Sequence, residues 1–155
     1  MFLHFNVAAL DEWEQRYRDG GRAQRLYDAH RQWRQRRKLP IDVGQGWPGT
    51  RFVVLHTLAH ALIRELSLEC GSGASSIRER VYSARPDAPE MAGFLLYTAA
   101  PDSEGTLGGL VSLGEPDLLG RLITQALERA RLCSSDPLCS ERGRSRALRR
   151  LMRPC

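Results

Sequence analysis

Apolar residues recur at helical intervals through residues 51–70, RFVVLHTLAHALIRELSLEC. Leu55, Leu58, Ala59, Leu62 and Leu66 fall at i, i+3, i+4, i+7 and i+11, which lays one apolar stripe along a helix. Thr50, after Pro48 and Gly49, can cap its start, and Gly71 can end it. A helix of this length spans roughly 30 Å, about the width of a small domain. Beside the stripe sit His56 and His60, one turn apart on one face.

Other patterns flank it. Residues 6–38 predict two helices, the first capped by Asn6 and carrying Leu10, Trp13 and Tyr17 on one side. Gly20 and Gly21 break it, and the second carries Leu26, Tyr27, His30 and Trp33 before ending in RQRRK. Their apolar stripes are thin, so both need a larger body to pack on. Residues 40–49, PIDVGQGWPG, form a linker by their Pro and Gly content.

After the central helix, residues 77–82 alternate as a strand, with Ile77, Glu79 and Val81 opposed to Arg78, Arg80 and Tyr82. Residues 92–99, AGFLLYTA, are apolar throughout and predict the buried central strand. Residues 110–113 predict a short third strand, paired with the central one as a hairpin. Glu115, Pro116 and Asp117 open a strong helix, since proline and acids favour a first turn. Leu118, Leu119, Leu122, Ile123, Ala126, Leu127 and Ala130 give that helix a wide apolar face ending near Cys133.

These elements predict an α+β fold: a small antiparallel sheet of about three strands against two main helices. An N-terminal helical arm lies outside it. The division is residues 1–49 for the arginine-rich arm and linker, and 50–155 for the folded domain.

A chain of 155 residues, 42% hydrophobic and 26% charged, is ordinary for one soluble domain. No uncharged apolar run approaches the ~18 residues of a membrane span. The opening MFLHFNVAALDEWEQ lacks a basic segment and meets acid at Asp11, so no signal peptide and a cytoplasmic location are expected. The net charge of +5 permits nucleic-acid binding without demanding it. Lys38 is the single lysine, so 22 of the 23 basic residues are arginine (23 − 1 = 22). Arginine is the better bidentate phosphate ligand, although a GC-rich genome favours it everywhere. Arg34, Arg36, Arg37 and Lys38 form the run best suited to phosphate contact, with a solvated helix end as the plain alternative.

Candidate chemistry centres on cysteines and histidines. Cys133 and Cys139 flank a turn made by Asp136 and Pro137, and two thiolates held so can chelate zinc. Cys155 can supply a third ligand. Cys70 can supply a fourth, although a small buried hydrophobe is its commoner role. His56 and His60 have the i, i+4 spacing of a helical metal pair. Thr57 stands where a zinc protease carries its glutamate, so metal-dependent hydrolysis of that kind is a poor fit. A metal or general-base role with Glu79, Asp102 or Glu104 stays open beside a purely structural one. Gly105 to Gly109, GTLGG, lacks the Gly-Lys-Ser/Thr ending of a nucleotide-phosphate loop, and none occurs elsewhere in the chain.

Four segments taken in order, LHTLAHALI, SIRERVY, GFLLYTAAPDSEGTLGGLV and CSSDPLC, resemble the MrfA-like zinc-binding domain over roughly residues 50–140. That domain is the C-terminal one of mitomycin-repair-type helicases and occurs in the DrmB component of DISARM anti-phage systems. HTLAH, and the Asp-Pro between the cysteines, are similar to the DrmB branch. The resemblance implies a four-cysteine zinc site. Cys133 and Cys139 match its first two ligands, and Cys155 lies about where a further Cys-x-x-Cys pair begins. The site is thus expected to be C-terminally incomplete, through truncation or a shifted reading frame, unless Cys70 or a partner completes it. The implied function is a non-enzymatic, helicase-associated accessory module that engages DNA in defence or repair, with no small-molecule substrate. The rival is a metal- or base-dependent enzyme acting on nucleic acid through His56, His60 and Glu79. A third possibility is a folded, inactive remnant of a longer gene.

Overall fold

A computed structural model describes residues 1–19, 21–40, 46–71, 76–83, 91–98 and 110–130, and the side chains of all of these except 18 and 19. The elements run β1 (Phe2–His4), α1 (Val7–Asp19), α2 (Arg22–Arg36), α3 (Thr50–Glu69), β2 (Ile77–Ser83), β3 (Ala92–Thr98) and α4 (Pro116–Ala130). The fold is α+β, with a three-stranded antiparallel sheet in the order β1-β3-β2. No described helix is long and apolar enough to cross a membrane.

Helix α3 is the pillar that its periodicity predicts. It packs on β2, β3 and α4, and Leu55, Ala59, Leu62 and Leu66 are all but sealed from solvent. Its start differs from expectation. Gly49 precedes the helix with a φ of 88°, no side-chain cap forms, and Thr50 is already helical. Gly71, with a φ of 62°, turns the chain out of the helix. At α1 the expected cap is present, for Asn6 Oδ1 accepts the Ala9 amide at 3.0 Å.

The third strand is not the one expected. Leu110 to Ser112 form a helical turn, and Leu110 and Leu113 are both buried in the core. Their i, i+3 separation suits one helical face. A four-residue apolar run cannot by itself separate that from a strand. The third strand is β1, drawn from the stretch assigned to the arm. It pairs Phe2 with Leu95 and His4 with Gly93. Met1 extends the pairing: its ammonium donates to the Leu96 carbonyl at 2.9 Å, and the Leu96 amide returns a bond to the Met1 carbonyl at 2.8 Å. Gly93 permits the approach, because a Cβ there would stand 2.5 Å from the Leu3 carbonyl oxygen.

The core lies between the sheet and the helices. Phe94 and Leu96 of β3 meet Leu55, Leu62 and Leu66 of α3, with Ile77 from β2 and Leu122 from α4. The register sets Ile77, Glu79 and Val81 of β2 on the face that α3 covers, because Glu79 stands opposite Leu96 and Val81 opposite Phe94. Two polar ties reinforce the packing. Glu65, buried on α3, takes Arg129 of α4 at 3.0 and 3.2 Å on its two oxygens. Arg51, at the first turn of α3, is paired with Asp11 and Glu14 of α1, the latter at 3.3 Å.

Candidate metal centre

The i, i+4 spacing on α3 sets the rings of His56 and His60 side by side, 4.4 Å apart by centroid and nearly perpendicular. Phe52, one turn before, stacks on His56 at 5.5 Å and 17° and so fixes the plane of that ring. Strand β2 brings Glu79 against both. Its Oε1 lies 2.7 Å from His56 Nδ1 and 3.1 Å from His60 Nε2. The alternation of β2 accounts for the aim of Glu79, since its neighbours Arg78 and Arg80 are exposed. His56 and Glu79 are mostly enclosed, whereas the His60 side chain is 37% exposed. The group has a closed floor and an open rim.

Chemically, the cluster offers two imidazole nitrogens and one carboxylate, with donor atoms all within 4.8 Å of one another. A zinc ion bound at ~2.0–2.1 Å to ligands of these kinds needs donors roughly 3.3 Å apart in tetrahedral geometry. The two separations from Glu79 Oε1, 2.7 and 3.1 Å, lie near that spacing. The Thr57 hydroxyl donates instead to the Val53 carbonyl at 2.7 Å, so it takes no part.

Cys133, Cys139 and Cys155 lie outside the described residues, as do Asp102 and Glu104. Cys70 is exposed at the end of α3, not buried as expected, because the apolar stripe of the helix has passed and Gly71 turns the chain away. Burial of part of its surface and the neighbouring Glu69 carboxylate push its thiol pKa up, which disfavours the thiolate. The basic run forms the end of α2. Arg34 Nε donates to the Pro40 carbonyl at 2.8 Å, and the Arg37 guanidinium sits 4.7 Å over the Trp33 ring. Arg36 and Lys38 are exposed. The residue that sequence reasoning missed is Phe52, and its position four residues before His56 was the available signal.

A model of the MrfA Zn-binding domain matches residues 58–147. The DISARM protein DrmB of Bacillus paralicheniformis is 37% identical over 146 residues, which covers 90% of this chain and 24% of that protein. The chain therefore spans about a quarter of the length of this relative.

Proposed function

The chain belongs to the MrfA Zn-binding domain family, and from that premise we propose that it is a DrmB-like accessory module, not an enzyme on its own. It helps a helicase-bearing partner engage DNA in anti-phage defence or repair. Zinc is the metal of the family. The observation that carries the proposal is the 37% identity to a DISARM protein across nine-tenths of the chain. Hydrolysis of a nucleotide is assigned in this proposal to the partner, since this sequence holds no nucleotide-phosphate loop of its own to carry it.

The module's own share of DNA binding rests on arginine and phosphate. The end of α2 presents Arg36, Arg37 and Lys38 to solvent on a chain of net charge +5. Pairings of this kind hold the backbone without reading bases, so affinity depends on salt and little on sequence. The test is DNA binding measured across salt, with Arg34, Arg36, Arg37 and Lys38 replaced together by alanine. For every phosphate that the variant no longer neutralises, the log–log salt slope should flatten by about 0.9, and the variant should bind more weakly on every sequence tried. Affinity that is flat from low to moderate salt, or unchanged in the variant, would overturn the proposal.

A further inference from the structure

The arrangement around Glu79 is not fully explained by packing. A half-buried carboxylate in a helix–sheet seam needs a hydrogen-bond partner, and the Nδ1–H of His56 at 2.7 Å supplies one. His60 adds a second ring aimed at the same oxygen from the open rim, where water could serve equally well. Two histidines one turn apart and a carboxylate from a facing strand, converging at their donor atoms, make the pattern of a metal set. The ring of His56 is held in plane by Phe52, so the donors are already oriented before any ion arrives.

We propose that His56, His60 and Glu79 form a zinc site, distinct from the cysteine site implied by resemblance, whose remaining coordination faces solvent beside His60. The ligand chemistry favours zinc over magnesium or calcium, because imidazole nitrogen suits the softer ions and oxygen-only sets suit the harder ones. Two neutral imidazoles and one carboxylate leave a bound zinc ion with a net positive charge. In the metal-free chain the two rings point at Glu79 as hydrogen-bond donors. When zinc binds, those nitrogens give lone pairs instead and their protons move to the other ring nitrogen or to solvent. The site does not depend on the accessory role proposed above, and DNA binding is not its readout.

The experiment uses the full chain with Cys70, Cys133, Cys139 and Cys155 all replaced by serine, stripped of metal and titrated with zinc and with cobalt(II). One equivalent should bind. The cobalt spectrum should show the weak visible bands of nitrogen and oxygen ligation without thiolate-to-cobalt charge transfer. His60→Ala should weaken zinc binding by on the order of 100-fold, since loss of even an outer-sphere partner costs 10–100-fold. His60 is the most exposed member of the set, so this variant should keep its circular dichroism. A second measurement leaves the chain intact. Zinc added to the wild-type protein should shift the ring-proton resonances of His56 and His60 and leave those of His4 and His30 in place. A folded cysteine-free chain that binds no zinc, or wild-type His56 and His60 resonances that do not move, would overturn the proposal.

Discussion

Two histidine environments differ sharply between the α3–sheet seam and the α2 arm. His56 meets a carboxylate at 2.7 Å. His30 is only 5% exposed, yet neither of its ring nitrogens has a hydrogen-bond partner among the described residues. Its neighbours are aromatic: Trp33 at 5.8 Å and Trp47 at 5.3 Å, with Tyr27 edge-on to Trp47. Burial first, and Arg34 second, lower its pKa from the ordinary 6.5. The seam joins its polar groups to one another, whereas the arm packs its ring among aromatic side chains. Burial alone therefore does not mark a histidine for chemistry. The convergence of other donors on it does.

The comparison is broken most forcefully in the core. Phe94→Ala removes the largest fully buried side chain, which β3 sends into the core between the sheet and the helices. It should cost about 3–5 kcal/mol, enough to abolish cooperative unfolding in urea followed by circular dichroism. An effect under about 1 kcal/mol would mean that the seam is not the stabilising region.

A smaller effect should follow from Arg129→Ala, which strands the buried Glu65 carboxylate. Because Arg129 is itself 53% exposed, solvent limits the cost to about 1–3 kcal/mol. Glu65→Gln in the same background should restore part of it, measured as the coupling in a double-mutant cycle. Additive effects would show that the two side chains do not interact.

The arm gives the smallest and most pH-dependent change. Because the folded pKa of His30 lies below its unfolded one, the unfolded chain takes up a proton that the folded chain refuses. His30 thus costs nothing above the unfolded pKa of about 6.5 and destabilises the fold as pH falls below it. His30→Phe should leave stability near neutral pH within about 0.5 kcal/mol and reduce the loss in melting temperature on acidification. An unaltered pH profile would mean that His30 is not the group responsible.

Much of this was legible from residue patterns. The apolar stripe of α3 placed that helix within a residue of its true ends, and the alternation of β2 put Glu79 on one face with Ile77 and Val81. Together they bring two histidines and a carboxylate to the same seam. Strand β1 was not legible, because three residues carry no measurable period. What recruits it is a missing side chain on a distant strand, at Gly93. The helical turn at 110–112 was missed for a related reason: four apolar residues fit either periodicity, and only the burial of both Leu110 and Leu113 separates them. The cysteine ligands implied by resemblance fall outside the described residues.

The placing of Arg78 and Arg80 has a consequence for solubility. They stand exposed on β2, an outer strand of the sheet among the described residues, where an unguarded ribbon would recruit its like from another molecule. Charge set at that position repels a second copy before backbone bonds can form. Exchanging both for valine would strengthen local β-propensity while inviting the chain to aggregate edge to edge.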